Sequence, residues 1–443
     1  MRTPSSTPAR NIGRRQILKM GGLLAAGVGG SAVTAACGSG GGGSSGGKSL
    51  IFSTPTDATA TINLFKKYCS DFASSTPGTS VSVVENGSGN FDQWLQSHLA
   101  AGNAPDVLRM TPTEVGPYIA NGSLIDIKQY LPADYGNDFN PTFWSQVAKN
   151  GNIYGLPQCV DTTAIYYRTD MLGKIGARIP TSPQDAWTWD EFIAICNQVK
   201  KQTGRYAFSF DWSEEAGYYW LPVLYQHGGA LVESDMKTPA IQNPAGVEAI
   251  EWTRQWFVDG LISPSNSMQA SVETSVVNLF TTGIVGMMVN GDWELTNVQA
   301  GGLDTSKWDV TYLFRDQTTA SLVGGTLMTV SKDSKYPDQA AKLAAYLCSA
   351  ANMSDYCAET LFLPARDSLT GDKIKYSYRP EAVQKFVSQT HAIPQEMFTL
   401  QTNENFSAMN DVLSTQLALC FTGQQSAAQT AQAIASGIQN AVA

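Results

Sequence analysis

Residues 280–298, FTTGIVGMMVNGDWELTNV, are the stretch around which the rest of the chain is read. A helical pattern ends at Phe280, glycines follow at 283 and 286, and Val285, Met287, Met288 and Val289 make a short apolar strand. Asn290-Gly291 marks a turn, and Asp292-Trp293 follow it. Loops at strand ends lie at the surface and carry binding groups, so a tryptophan there is presented rather than hidden. Trp293 is the first ligand candidate, with Asp292 beside it. Packing is the competing reading, because large aromatics are mostly core.

The chain before this stretch alternates strands with helices. Strands are expected at 50–53, 80–84 and 105–110, each followed by a helix, which reads as a parallel α/β sheet. Small polar residues recur after these strands: Thr56 and Asp57, then Glu85 and Asn86, then Thr111, Thr113 and Glu114. In open α/β sheets ligands sit beyond the carboxyl ends of the strands, although Asp, Asn and Thr in such places also serve as helix caps. Further on, Thr188 and Glu191 open a capped amphipathic helix. Tyr218, Tyr219, Trp220 and Tyr225 then crowd one segment before Gly228-Gly229, more aromatics than a helical core face requires. A strand with Gly324-Gly325 is expected over 321–330, and an amphipathic helix over 426–442 closes the chain.

The first 47 residues read as processing segments. Arg14-Arg15 precede a weakly apolar, glycine-rich run, and Thr34-Ala35-Ala36 precede Cys37. This resembles a twin-arginine export signal followed by a lipoprotein cleavage box, with Cys37 as the acylated residue. Thr34 departs from the leucine usual three places before that cysteine. Residues 38–47 are almost pure Gly and Ser, a flexible tether. The expected arrangement is an exported globular body, residues 48–443, anchored by lipid to the outer face of the cytoplasmic membrane.

Removal of the signal takes Lys plus Arg from 29 to 24 against 38 acidic residues, a net charge of about −14. Such a body is a poor partner for nucleic acid or anionic lipid. Six cysteines remain after Cys37 (Cys69, Cys159, Cys196, Cys348, Cys357 and Cys420), which in an exported protein permits up to three disulfides. None has CxxC spacing, and the three histidines, His98, His227 and His391, are far apart, so no metal or other cofactor is expected.

Several short motifs resemble, in order, those of the family 1 extracellular solute-binding proteins of ABC importers, the group that includes the maltose- and glycerol-phosphate-binding proteins. They are Gly102-Asn103-Ala104-Pro105-Asp106-Val107, Asn121-Gly122-Ser123-Leu124-Ile125-Asp126, Tyr154-Gly155-Leu156-Pro157, Ile165-Tyr166-Tyr167-Arg168, Trp187-Thr188-Trp189-Asp190-Glu191-Phe192, Gly286-Met287-Met288-Val289-Asn290-Gly291-Asp292-Trp293 and Leu363-Pro364-Ala365-Arg366.

The resemblance implies two α/β lobes closing on a ligand in the cleft between them. Lobe 1 would be residues 48–157 plus 321–365, and lobe 2 residues 162–317 plus 366–443. It also implies that Trp293 stacks on a sugar ring, that Tyr218 and Asp161 contact the ligand, and that Thr113 and Glu114 replace a carboxylate and a basic residue of the maltose-binding relative, which argues against maltose itself. A sugar offers an apolar face to aromatics and hydroxyls to polar groups. The expected site is therefore Asp57, Glu85, Asn86, Thr111, Thr113, Glu114, Asp161, Tyr218, Trp220, Asp292, Trp293, Gly325 and Arg366, with Arg109 as an alternative donor.

The implied function is a monomeric, non-catalytic carbohydrate receptor that delivers its ligand to the membrane subunits of an ABC permease. A non-sugar solute in the same fold, such as a polyamine, a peptide or a glycerol phosphodiester, is the alternative. A glycoside hydrolase is a third reading, since paired carboxylates in an aromatic cleft also describe that chemistry.

Overall fold

The computed structural model describes residues 47–56, 58–86, 91–212, 216–262 and 273–442. The segment expected to be an export signal, Cys37 and Asp57 lie outside these residues. Among the described residues, eleven strands follow in chain order: β1 (Lys48–Pro55), β2 (Thr79–Asn86), β3 (Val107–Met110), β4 (Ala148–Lys149), β5 (Asn152–Ile153), β6 (Gly155–Asp161), β7 (Thr163–Arg168), β8 (Tyr206–Phe210), β9 (Val285–Gly291), β10 (Trp308–Thr311) and β11 (Gly324–Val330). They build two main sheets, of order β2-β1-β3-β11-β6 and β10-β7-β9-β8, while β4 and β5 form a small hairpin.

In the first sheet β1 runs parallel to both β2 and β3, as alternation of strand and helix predicts. The strand β11 enters between β3 and β6, antiparallel to both. Its sequence distance from its neighbours hides that pairing from any local pattern. In the second sheet β9 is buried along its whole length, which explains why Val285 to Val289 make a continuous apolar run rather than an alternating one. Gly283, at φ +74, makes the turn into it, a conformation that costs glycine nothing.

Helices cover the sheets. The helix Trp189–Thr203 opens with the Thr188/Glu191 capping box and ends at Gly204 in the left-handed region, φ +67. Ser426 caps the last helix, Ala427–Ala441, which packs with Phe406–Phe421 and Pro244–Val258. The helix Phe406–Phe421 touches Ala216–Gln226 on one side and reaches Pro112–Ala120 on the other. The core is aromatic: Trp187, Trp212, Trp220, Trp256 and Trp308 are almost wholly buried, and Trp189 stacks on Trp252 at 3.9 Å and 10°.

The strands cross between the sheets twice, and after β11 the chain passes back once more, since the helix Pro380–Gln389 packs on β7 and β10. Only Thr162 separates β6 from β7, and the return runs from β10 to β11. The two crossings are stitched together, because Thr162 Oγ1 lies 2.6 Å from the Leu322 carbonyl and 2.8 Å from Ser321 Oγ. Among the described residues, no helix is long and apolar enough to cross a membrane.

The six cysteines form no disulfide; all are buried free thiols. Each acts as a small apolar side chain, and burial pushes the thiols of Cys69 and Cys159 up to about 12.

Candidate ligand-binding site

A cavity of about 200 Å³ opens beside the crossings. The first sheet contributes Thr111 and Thr113 from the turn after β3, Asp161 from the end of β6, and Gly324, Gly325 and Thr326 from the start of β11. From the side of the second sheet come Tyr218 and Tyr219, on the helix Ala216–Gln226, and Trp293, two residues past β9. Phe362, Leu322, Pro112 and Gln401 complete the wall. Two roomier hollows, of about 510 and 630 Å³, lie away from the crossings and share no residue with this one.

Three aromatic rings adjoin one another here. Tyr218 and Tyr219 lie 5.7 Å apart, and Tyr219 lies 6.1 Å from Trp293 at 45°. Gln401 Nε2 donates to the Tyr218 hydroxyl at 2.7 Å and to the Val323 carbonyl at 2.9 Å, tying a C-terminal helix to the cavity. Thr111 Oγ1 and Thr113 Oγ1 lie 2.8 Å apart. The wall thus alternates flat apolar faces with hydroxyl, amide and carboxyl groups.

Glycines let the site form. A Cβ at Gly291 would overlap the Trp293 ring, and one at Gly324 would overlap Asp161 Oδ1. Gly325 adopts φ +115, and a Cβ there would meet the Cys159 carbonyl. Side chains at these positions would displace the two groups that the Asn-Gly-Asp-Trp stretch and the first crossing bring to the cavity.

The electrostatics are set by burial. Asp292 is fully buried; Oδ1 accepts from Thr162 N at 2.9 Å, and Oδ2 has no hydrogen-bond partner among the described residues. Burial, and then the neighbouring Asp161 charge, raise its carboxyl far above the usual carboxylate range. Asp161 is raised by burial too, against the Gly325 backbone hydrogen bond and the Arg109 charge. Arg109 itself is 3% exposed and stands behind the wall: Nε donates to Thr326 Oγ1 at 3.3 Å and Nη2 to the Tyr356 hydroxyl at 2.8 Å.

Of the expected site, Thr111, Thr113, Asp161, Tyr218, Trp293 and Gly325 come together at the cavity, and Asp292 lies directly behind it. Other expected residues are placed elsewhere. Trp220 is buried in the core and donates from Nε1 to Thr253 Oγ1 at 2.8 Å, because a helix turns about 100° per residue and aims it away from its tyrosine neighbours. Arg366 pairs with Asp138 at 3.0 Å, donates to the Cys348 carbonyl, and covers the Phe139 ring at 4.1 Å, so its donors are spent on structure. Glu85 lies 3.7 Å from Lys66 at the surface. Asn86 is buried and donates to Ser53 Oγ at 3.2 Å. Glu114 caps its own helix, accepting from Thr111 N at 2.8 Å, and burial pushes its carboxyl up to about 7.

Sequence reasoning missed Tyr219, Phe362, Thr326 and Gln401 as site residues. The crowded tyrosines and the Leu361-Phe362-Leu363 run carried a usable signal for the first two. Gln401 carried none, since only the packing of a distant helix brings it here.

Two helix-covered α/β sheets, joined by paired crossings beside an aromatic cavity, define a two-lobed binding protein. The chain belongs to the bacterial extracellular solute-binding proteins, whose family model matches residues 67–392. It is similar to the maltodextrin-binding protein MdxE of Bacillus subtilis, at 25% identity over 71% of this chain and 75% of that one. It is also similar to the galactooligosaccharide-binding protein of the same organism, at 24% identity over 66% of this chain and 68% of that one. In fold it matches the GacH receptor of Streptomyces glaucescens, solved unliganded and with acarbose and an acarbose homolog. The TM-score is 0.76 at 23% identity, over 89% of this chain and 98% of that one.

Proposed function

We propose that the protein is an extracellular receptor that captures a carbohydrate and delivers it to the permease of an ABC transporter, without catalysing any change in it. The observation that carries this reading is the set of adjoining rings of Tyr218, Tyr219 and Trp293 beside the carboxyl of Asp161 and the hydroxyls of Thr111 and Thr113. A pyranose presents an apolar C–H face to such rings and hydroxyls to such a rim. The relatives that bind maltodextrin and galactooligosaccharides support an oligosaccharide rather than a monosaccharide.

In this reading the lobes are residues 48–157 with 321–365 and 162–317 with 366–443, and the crossings at Thr162 and Leu322 are where they move relative to each other. A lipid on Cys37 and the Gly/Ser tether would hold the receptor beside its permease, which would touch a rim of each lobe.

The test is titration of the purified protein with a panel of mono- and oligosaccharides, followed by tryptophan fluorescence and thermal shift, with polyamines and glycerol phosphodiesters as controls. A saturable response to one saccharide class, with the saccharide recovered unchanged, is the expected result. A response confined to the controls would reassign the ligand, and loss of the saccharide during the titration would reassign the protein as an enzyme.

A further inference from the structure

Resting on the carbohydrate reading, we propose that the cavity selects a saccharide bearing a protonated amine over its neutral counterpart. The argument is one of charge balance within the site. Asp161 opens on the cavity, and Asp292 lies behind it with one oxygen unpartnered among the described residues. Glu114 flanks the turn that carries Thr111 and Thr113. Against these three carboxyls stands one resident cation, Arg109, set back behind Thr326. No Lys, Arg or His is among the described residues lining the cavity.

Two more carboxyls stand nearby, Asp92 beside Glu114 and the buried Glu294, which acts with Asp292 on Tyr166, and neither adds a cation. The thiols of Cys159 and Cys357 and the Tyr376 hydroxyl are all held neutral by burial. One guanidinium can offset one carboxylate. The carboxyls in excess of it are pushed toward the protonated form, by burial first in all three and, at Asp292, by the Asp161 charge as well.

A neutral saccharide leaves those protons in place and gains ordinary hydrogen bonds. An ammonium supplies the second cation, so the Asp161–Asp292 pair gives up a proton and Asp161 accepts a charge-assisted hydrogen bond, roughly twice as strong as a neutral one. The proton released goes to buffer. The rings of Tyr218, Tyr219 and Trp293 add to the preference, because an aromatic face attracts a cation. An anionic sugar, such as a uronate or a sugar phosphate, meets the same carboxyls with no cation at the wall and is excluded.

The experiment is calorimetric titration of the full-length protein with matched sets: glucose, galactose and mannose, their 2-amino and 2-acetamido forms, and chito-oligosaccharides before and after deacetylation. Runs in two buffers of different ionisation heat count the protons released. The expected result is at least about tenfold tighter binding of the amine within a set, about 1.4 kcal/mol, with proton release that the neutral member lacks. Asp161→Asn and Asp292→Asn should each bring the amine-to-neutral affinity ratio toward one. Equal or weaker binding of the amine, or tighter binding without proton release, overturns this inference and leaves the carbohydrate reading standing. Response to spermidine with silence across every saccharide overturns the carbohydrate reading and this inference with it.

Discussion

Trp293 lies across Gly291, so close that any side chain at 291 would occupy the volume of the indole ring. The ring reaches the cavity because the residue two positions before it has no Cβ. Trp293→Ala should weaken saccharide binding at least about tenfold, about 1.4 kcal/mol, by removing the face on which a pyranose rests. Gly291→Ala should produce a comparable loss through displacement of the ring, accompanied by a change in tryptophan emission of the free protein. Unchanged affinity in both variants, measured by calorimetry, would remove Trp293 from the site.

Arg366 and Trp220 should behave in the opposite way. Arg366→Ala deletes the Asp138 pair, the hydrogen bond to the Cys348 carbonyl and the contact with the Phe139 ring. A loss on the order of 2 kcal/mol in a denaturation curve is expected, with the affinity of the folded protein unaltered. Trp220→Phe should likewise lower the midpoint without touching affinity. A selective loss of affinity in either variant would return that residue to the site.

Glu114 makes stability depend on pH. Burial pushes its carboxyl up to about 7, above the ordinary value of 4.5, so the unfolded chain ionises first as pH rises. Its contribution to stability therefore falls between about pH 4.5 and 7. Glu114→Gln keeps a side-chain acceptor at the helix cap and removes the titration. The melting temperature of the variant relative to the parent should rise on going from pH 5 to pH 8; a constant difference would show that Glu114 is not protonated in the fold.

His227 acts with the opposite sign. Partial burial opposes its charge, but hydrogen bonds to Glu248 at 2.7 Å and to Asp316 outweigh that and raise its pKa above 6.5. The ring also stacks on Trp189 at 4.9 Å and 12°. Its stabilisation is complete below pH 6.5 and disappears as pH climbs through the raised value. His227→Gln should cost more melting temperature at pH 6 than at pH 9. Equal costs at both would sink the ion-pair account.

The six cysteines of the body should be silent toward a thiol reagent in the native protein and should all react after denaturation without reductant. Burial keeps them both inaccessible and protonated. Fewer than six after unfolding would mean that some pair in the exported protein.

The alternation of strand and helix before residue 120, the capping box at Thr188 and Glu191, and the apolar run of β9 were legible because each is a pattern within a dozen residues. The placement of β11 between β3 and β6 was not, since its partners lie more than 150 residues away. Of the residues the structure brings to the cavity, Trp293 is singled out by the turn at a strand end, whereas Tyr218 and Asp161 are named only through the family resemblance. The misplacement of Trp220 shows the limit of a resemblance and a crowded run: on one helix Tyr218 and Tyr219 both reach the cavity while Trp220, about 100° further round, turns into the core, and packing decides where that boundary falls.

What the sequence determined by itself is the family and the kind of chemistry. Ordered short motifs, apolar runs of strand length and an aromatic after an Asn-Gly turn are properties of the chain before it folds. Only the tertiary structure decided which carboxyls share a site. Asp161 and Asp292 stand 131 positions apart in the sequence and meet because Asp292 accepts the Thr162 amide at the crossing. Desolvation raises both, Arg109 acts against it at Asp161, and the Asp161 charge adds to it at Asp292; neither burial nor a through-space charge can be read from residue order.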